Sequence, residues 1–173
     1  MTSMHPPVRA AVVTDGVRLR RANWLALLLP AALLAGAWGS QLLGGLVPCE
    51  MCHWQRWPHY AALPIAALAF LLNGRPRVAV IVLAALLIAA SGVIGVMHAG
   101  VEYHWWNGFT ACTSPVALTG RTAAERLDAL LNQPIVRCDT AQWKLFGVSL
   151  AGFNALFSLG GALLILGLVR KAR

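Results

Sequence analysis

The stretch VPCEMCHWQRWPHY, Val47 to Tyr60, follows more than twenty residues of nearly pure hydrocarbon that begin at Trp24. It sets a Cys-x-x-Cys pair, Cys49 and Cys52, at the mouth of that apolar run, with Arg56 four residues on. Its setting decides the class of fold. The chain has 173 residues, of which 58% are hydrophobic and 12% charged, and its mean hydropathy is +0.66. A soluble domain carries roughly 25% charged residues. A helix that spans a bilayer needs about 20 apolar residues. Four runs qualify in outline, about 24–47, 54–72, 78–97 and 145–169. The second is the weakest, because it holds Pro58, His59 and Pro64; proline is tolerated in such helices when neighbours satisfy the freed carbonyls. The first run is longer than the 7–15 residues of a signal-peptide core, so it reads as a retained helix. The expected fold is an all-α membrane protein, a four-transmembrane-helix bundle in one domain, 22–173, behind a polar, mobile tail, 1–21.

Four spans place both termini on one side. That side holds Arg9, Arg18, Arg20, Arg21, Arg75, Arg77, Arg170, Lys171 and Arg173 against Asp15 alone. The other side holds Arg56, Arg121, Arg126, Arg137 and Lys144 against five acids. The whole +8 excess therefore lies on one face, and the positive-inside rule makes that face cytoplasmic. The basic residues sit at helix ends with no aromatic interleaving, so the charge does not call for nucleic acid. All four cysteines then fall outside, Cys49 and Cys52 in a loop at about 48–53, Cys112 and Cys138 in one at about 98–143. An even cysteine count on an oxidising side suits disulfide chemistry.

Small residues recur every four positions in the first run, at Ala32, Gly36, Ser40 and Gly44, and again at Ser91 and Gly95 in the third. Such stripes let helices approach closely, so they read as packing surfaces. Asn73-Gly74-Arg75-Pro76 reads as a tight turn joining spans two and three. In the long outer loop, Thr122 and Glu125 fit a capping box. Leu127, Leu130 and Leu131 continue it as a short amphipathic helix on the membrane surface, ended by Pro134. Upstream, Tyr103, Trp105, Trp106 and Phe109 form an aromatic cluster, read as an interfacial belt or as a patch facing a partner or cofactor.

Three chemistries remain open for Cys49 and Cys52. With His53 they spell Cys-x-x-Cys-His, the c-type haem signature, although no soluble cytochrome domain accompanies it. They could be half a zinc site, but Cys112 and Cys138 lie too far apart in sequence for the usual second tight pair. They could be a redox dithiol, in which a nearby cation lowers a thiol pKa. Arg56 is placed for that, one helical turn from Cys52. A disulfide closing the loop between Cys112 and Cys138 would stabilise it by roughly 3–4 kcal/mol if structural.

Cys49, Cys52 and Arg56 directly after the first span, two loop cysteines after the third, and His98-Ala-Gly100-Val101-Glu102 before the first of them together resemble the bacterial disulfide bond formation protein B (DsbB) family of inner-membrane quinone reductases. The resemblance covers nearly the whole chain past the tail. It implies a protein of the bacterial inner membrane, with its cysteines on the periplasmic side. It implies that a reduced periplasmic thioredoxin-fold oxidase of the DsbA type attacks a Cys112–Cys138 disulfide. Cys112 takes the mixed disulfide, Cys138 exchanges with Cys49, and Cys52 becomes the thiolate facing a quinone, ubiquinone or menaquinone, with Arg56 beside it. DsbA-type oxidants lie near −120 mV, which a quinone pool can recharge and a glutathione couple cannot. Arg56, His98 and Glu102 are candidates for the quinone pocket; no metal is expected. Alternatives are an oxidoreductase of the vitamin K epoxide reductase type, a non-catalytic protein holding zinc or haem at Cys49 and Cys52, and a structural membrane protein stapled by inert disulfides.

Overall fold

The computed structural model describes residues 6–108, 110, 122–125, 127 and 136–172, with side chains from residue 16 onward. Among them are four long helices: α1 (Pro6–Leu42), α2 (Glu50–Leu68), α3 (Gly74–Glu102) and α4 (Leu150–Lys171). A two-stranded antiparallel ribbon, β1 (Lys144–Leu145) and β2 (Val148–Ser149), precedes α4, with Lys144 opposite Ser149 and Leu145 opposite Val148.

Each helix packs on its neighbours in sequence, and α4 closes back on α1, while α1 and α3 barely meet. The hydrocarbon core is rich in alanine: Ala22 and Ala26 of α1, Ala62 and Ala66 of α2, Ala84 and Ala85 of α3 and Ala162 of α4, with Ile81, Ile88 and Ile165 between them. In lipid no hydrophobic effect draws helices together, so association rests on close packing, and small side chains permit it. At Gly95 a Cβ would come within 3.0 Å of Ala151 O and of Ala155 N on α4.

Three helices are long and apolar enough to cross a membrane: Gly16–Leu42 within α1, α3 and α4. The expected second span, α2, has 19 residues, about 28 Å at 1.5 Å per residue. It falls short in composition because Gln55, Arg56 and His59 are built into it, and all three are buried.

The boundaries differ from the sequence reading in ways the local chemistry explains. α1 takes in most of the 1–21 segment that was expected as a mobile tail. The helix stops at Leu42 rather than near Val47, because Gly45 adopts a left-handed conformation (φ +67°) and the Leu46 N–H turns back to Ser40 O, 3.1 Å. This is the glycine-type ending of helices. α2 starts at Glu50, four residues before the expected span, because Cys49 caps it. α3 runs on through Glu102, past the expected end at Met97. The stripe on α1 was expected to pack, and it does not: a Cβ on Gly36 would meet nothing within 4 Å. Ala32, Gly36 and Ser40 instead line a cavity. The capping box forms, with Thr122 N–H donating to Glu125 Oε2 (2.8 Å) and Glu125 N–H to Thr122 Oγ1 (3.3 Å). Residues 123–125 and 127 are helical; Leu130, Leu131 and Pro134 of the expected amphipathic helix lie outside the described residues, as does Phe109.

Gly95→Leu should force α3 and α4 apart and destabilise the bundle by about 1–3 kcal/mol. Thermal unfolding in detergent checks this, and an unchanged midpoint would show that the close approach carries no packing energy.

Candidate active site

Pro48 precedes Cys49, whose extended backbone (φ −78°, ψ 175°) makes it the N-cap of α2. Its sulfur accepts the Cys52 N–H at 3.3 Å, a role usually filled by oxygen side chains. The first turn of α2 thereby carries the Cys52 sulfur to 2.9 Å from that of Cys49. His53 is exposed and points away from the cavity lining.

The second outer segment folds down onto this turn. Gln142 clamps the backbone of Val47: its Nε2 donates to Val47 O (2.6 Å) and its Oε1 accepts from Val47 N–H (3.1 Å). Arg137 grips the Asp139 carboxylate with Nε and Nη2, bending the chain around the residue between them, Cys138. Arg137 also holds the Asp139 carboxyl below its usual range. Tyr103, at the end of α3, fixes the ribbon by donating to Gly147 O and accepting from Ser149 N–H, both 2.8 Å. Cys138 is fully buried and packs with Cys49, Met51 and Val101. Thr110 Oγ1 donates to its sulfur at 3.7 Å. Three of the four expected cysteines are thus gathered at one point; Cys112 lies outside the described residues. Of the aromatic cluster, Trp106 folds back, its Nε1–H on Met97 O (3.0 Å), whereas Trp105 is two-thirds exposed.

His98 and Glu102 meet the thiols from α3. Gln55 Nε2 donates to Met51 O (3.2 Å), which fixes the orientation of its amide, and contacts His98 Nδ1 at 2.7 Å. Nδ1 must then be the acceptor, so the ring N–H sits on Nε2. Nε2 faces the Cys49 sulfur at 3.5 Å and Glu102 Oε1 at 3.7 Å. Arg56 was expected beside Cys52, holding its thiolate or a ring oxygen of a bound ligand, and it lines the same cavity as Cys52. It also turns to α1, where Nη1 donates to Gln41 Oε1 (2.9 Å) and Nη2 to Ala37 O (3.1 Å), with Trp38 stacked at 5.4 Å. A cation near a helix C-terminus is favoured by the exposed carbonyls there, and sequence spacing along α2 does not reveal a partner on α1. The Arg56 Nε–H remains buried without a partner among the described residues.

Hydrogen bonding to Cys138 and then to Cys52, followed by burial, pushes the Cys49 thiol up. The hydrogen bond from Cys49 pulls Cys52 down, against its own burial. The capping N–H favours charge on Cys49, but that sulfur is walled in by Cys138 and Met51, so the charge rests on the less buried Cys52. Cys49, Cys52 and His98 are also a donor set of metal-ligating type. Two sulfurs on one tetrahedral zinc lie about 3.8 Å apart at a bond length of about 2.3 Å. The observed 2.9 Å approach fits a dithiol better than a metal centre.

Cys52 opens on a cavity of about 250 Å³ whose wall includes Arg56, His59, His98, Glu102 and Asn154. Residues 19–168 match the family model for disulfide bond formation protein DsbB. The chain belongs to the DsbB family. No curated protein and no solved structure matches it. As a DsbB-family chain with three membrane-length helices it is a membrane protein of disulfide bond formation, with the disulfide oxidoreductase activity of its family. The sequence reading of this DsbB-family site missed a second polar group deeper in the bundle. Asn154 Nδ2 donates to Gln55 Oε1 (2.9 Å), Ser91 Oγ (3.1 Å) and Ser91 O (3.2 Å), and Ser91 Oγ donates to Gln55 O (2.7 Å). The signal was present as polar residues at i, i+4 spacing inside apolar runs, Gln55 with His59 and Asn154 with Ser158, which membrane helices carry only with partners.

A small alkylating reagent should label Cys52 faster than Cys49 throughout about pH 6 to 9, because the thiolate is the reactive form. The Cys52 rate should fall as pH drops through a pKa below the ordinary 9.0. Mass-spectrometric counting of each labelled cysteine checks this; equal rates would remove the asymmetry.

Proposed function

We propose that this protein reoxidises a periplasmic DsbA-type dithiol oxidase and passes the two electrons to membrane quinone, with α2 as a fourth span and the cysteines on the periplasmic side. The observation that carries the reading is the cluster of Cys138, Cys49 and Cys52, with Cys52 at the wall of the cavity. In this scheme the reduced partner's thiolate attacks the Cys112–Cys138 disulfide at Cys112. The Cys138 thiolate leaves and attacks Cys49 of the Cys49–Cys52 disulfide. Cys52 leaves as a thiolate, stabilised by the N-terminus of α2. The partner's second thiol attacks the sulfur bound to Cys112, so the partner leaves as a disulfide and Cys112 as a thiolate. Cys112 then attacks Cys138, re-forming the Cys112–Cys138 disulfide and releasing Cys49, so one dithiol is oxidised for each pair of electrons delivered to Cys49 and Cys52. His98 Nε2–H supports charge on the Cys49 sulfur as its bonds change.

A quinone suits the cavity because a ring carbonyl only accepts hydrogen bonds, and the buried Arg56 Nε–H is a donor that lacks an acceptor. When bound, quinone supplies a lipid-soluble two-electron acceptor. Arg56, held rigid by Gln41 and Ala37, orients a ring oxygen; His98 and Glu102 close the polar end of the pocket. The membrane setting follows from this chemistry, since the acceptor is dissolved in the bilayer.

The test is anaerobic quinone reduction in detergent, with a reduced DsbA-type protein as donor. Wild type should form one quinol per donor dithiol, and Cys52→Ala and Cys112→Ala should each lower the rate by at least about a hundredfold. Folded wild-type protein that forms no quinol would overturn the proposal and point to metal or haem analysis.

A further inference from the structure

His59 takes no part in the scheme above, yet it lines the same cavity one turn of α2 beyond Arg56 and is only 2% exposed. Its Nε2 lies 3.0 Å from Asn154 Oδ1, 2.9 Å from Ser91 Oγ and 3.4 Å from Ser158 Oγ. The direction of these bonds can be read from fixed points. The Asn154 amide nitrogen donates to the backbone carbonyl of Ser91, so the atom that faces His59 is the amide oxygen, which only accepts. Ser91 Oγ gives its own proton to the backbone carbonyl of Gln55. The ring proton of His59 is therefore on Nε2. None of its partners is an acid, and a charged imidazole buried here without a counter-ion would be strongly disfavoured. Neutral His59 then has a bare lone pair on Nδ1, and that atom is buried without a partner among the described residues.

We propose that His59 Nδ1 is a binding contact for the reduced ring, accepting a hydrogen bond from a hydroxyl of the quinol while the Arg56 Nε–H donates to a ring oxygen. The inference rests on the quinone reading and adds to it a selectivity for redox state. Arg56 offers a donor, which serves quinone and quinol alike. His59 offers an acceptor, which a quinone carbonyl cannot use and a quinol hydroxyl can. Binding the product more tightly than the substrate raises the potential of the bound couple, and so draws electrons out of Cys49 and Cys52. The position is set by three helices at once, since Ser91 comes from α3 and Asn154 and Ser158 from α4. Glu102 Oε2 is the other buried acceptor of this wall without a partner, but it stands beside His98 at the end of α3.

The experiment uses the full chain with Cys49→Ser and Cys52→Ser, so that no electrons move, and titrates it with decylubiquinone and with decylubiquinol by tryptophan quenching. The parent should bind the quinol about tenfold more tightly than the quinone, one hydrogen bond's worth, equivalent to a shift of about 30 mV for a two-electron couple. His59→Phe should abolish that preference and leave quinone affinity within about twofold; His53→Phe, at an exposed residue outside the cavity lining, should retain it. A His59→Phe protein that keeps the parental preference overturns the inference and leaves the quinone reading standing. Failure of the parent to bind either form overturns the quinone reading itself. A second measurement needs no variant at that position: in ring-15N-labelled protein the Nδ1 resonance of His59 should be that of an unprotonated nitrogen and should move with quinol but not with quinone. A protonated Nδ1 overturns the inference.

Discussion

Gln55, Ser91 and Asn154 form a node of hydrogen bonds between α2, α3 and α4, and the rest of the molecule is arranged around it. In hydrocarbon a polar side chain has no water to turn to, so each must find its partners within the bundle. Here each amide has a backbone carbonyl as a fixed reference, Met51 O for Gln55 and Ser91 O for Asn154. These carbonyls give the network a direction as well as a shape. From it follow the tautomers of His98 above and His59 below, and hence which ring nitrogen each presents. The node also fixes the rotation of α2, which lacks the apolar composition of its three neighbours.

Above the node, the thiols are assembled by constraints that act on backbone rather than on sulfur. Cys49 is an N-cap, Val47 is held by Gln142, and Cys138 sits in a bend closed by Arg137 and Asp139. Sulfur makes weak hydrogen bonds, so placement by the surrounding chain brings the three cysteines close with only weak bonds between them. That suits thiol–disulfide exchange, in which each sulfur must change partner. Below, the small residues Ala32, Gly36 and Ser40 on α1 leave the cavity open beside Cys52.

Much of this was legible beforehand. The apolar runs, the capping box and the cysteine spacing are local or compositional properties, and each reports physics that acts within a few residues or along one segment. The gathering of Cys49, Cys52, His98 and Glu102 was anticipated through the resemblance to the DsbB family. One reading failed and one was incomplete, for the same reason. The stripe of α1 was assigned to helix packing and Arg56 to a thiolate or a ligand's ring oxygen, both judged along a single helix. In the bundle the stripe meets the cavity, and Arg56, at the cavity wall, also reaches across to Gln41 and Ala37.

The sequence alone determined that the chain belongs in a membrane, and that a reactive-type cysteine pair stands at the end of an apolar helix. Hydropathy and spacing act one segment at a time, so one segment suffices to read them. Only the tertiary structure decided which polar groups meet. Hydrogen bonds between Gln55, Ser91 and Asn154, from His59 to Ser91 and Asn154, and between Gln142 and Val47 join residues between 32 and 99 positions apart. Their partners, their directions and the protons they hold depend on the rotation of each helix in the bundle, which packing sets and no single segment encodes.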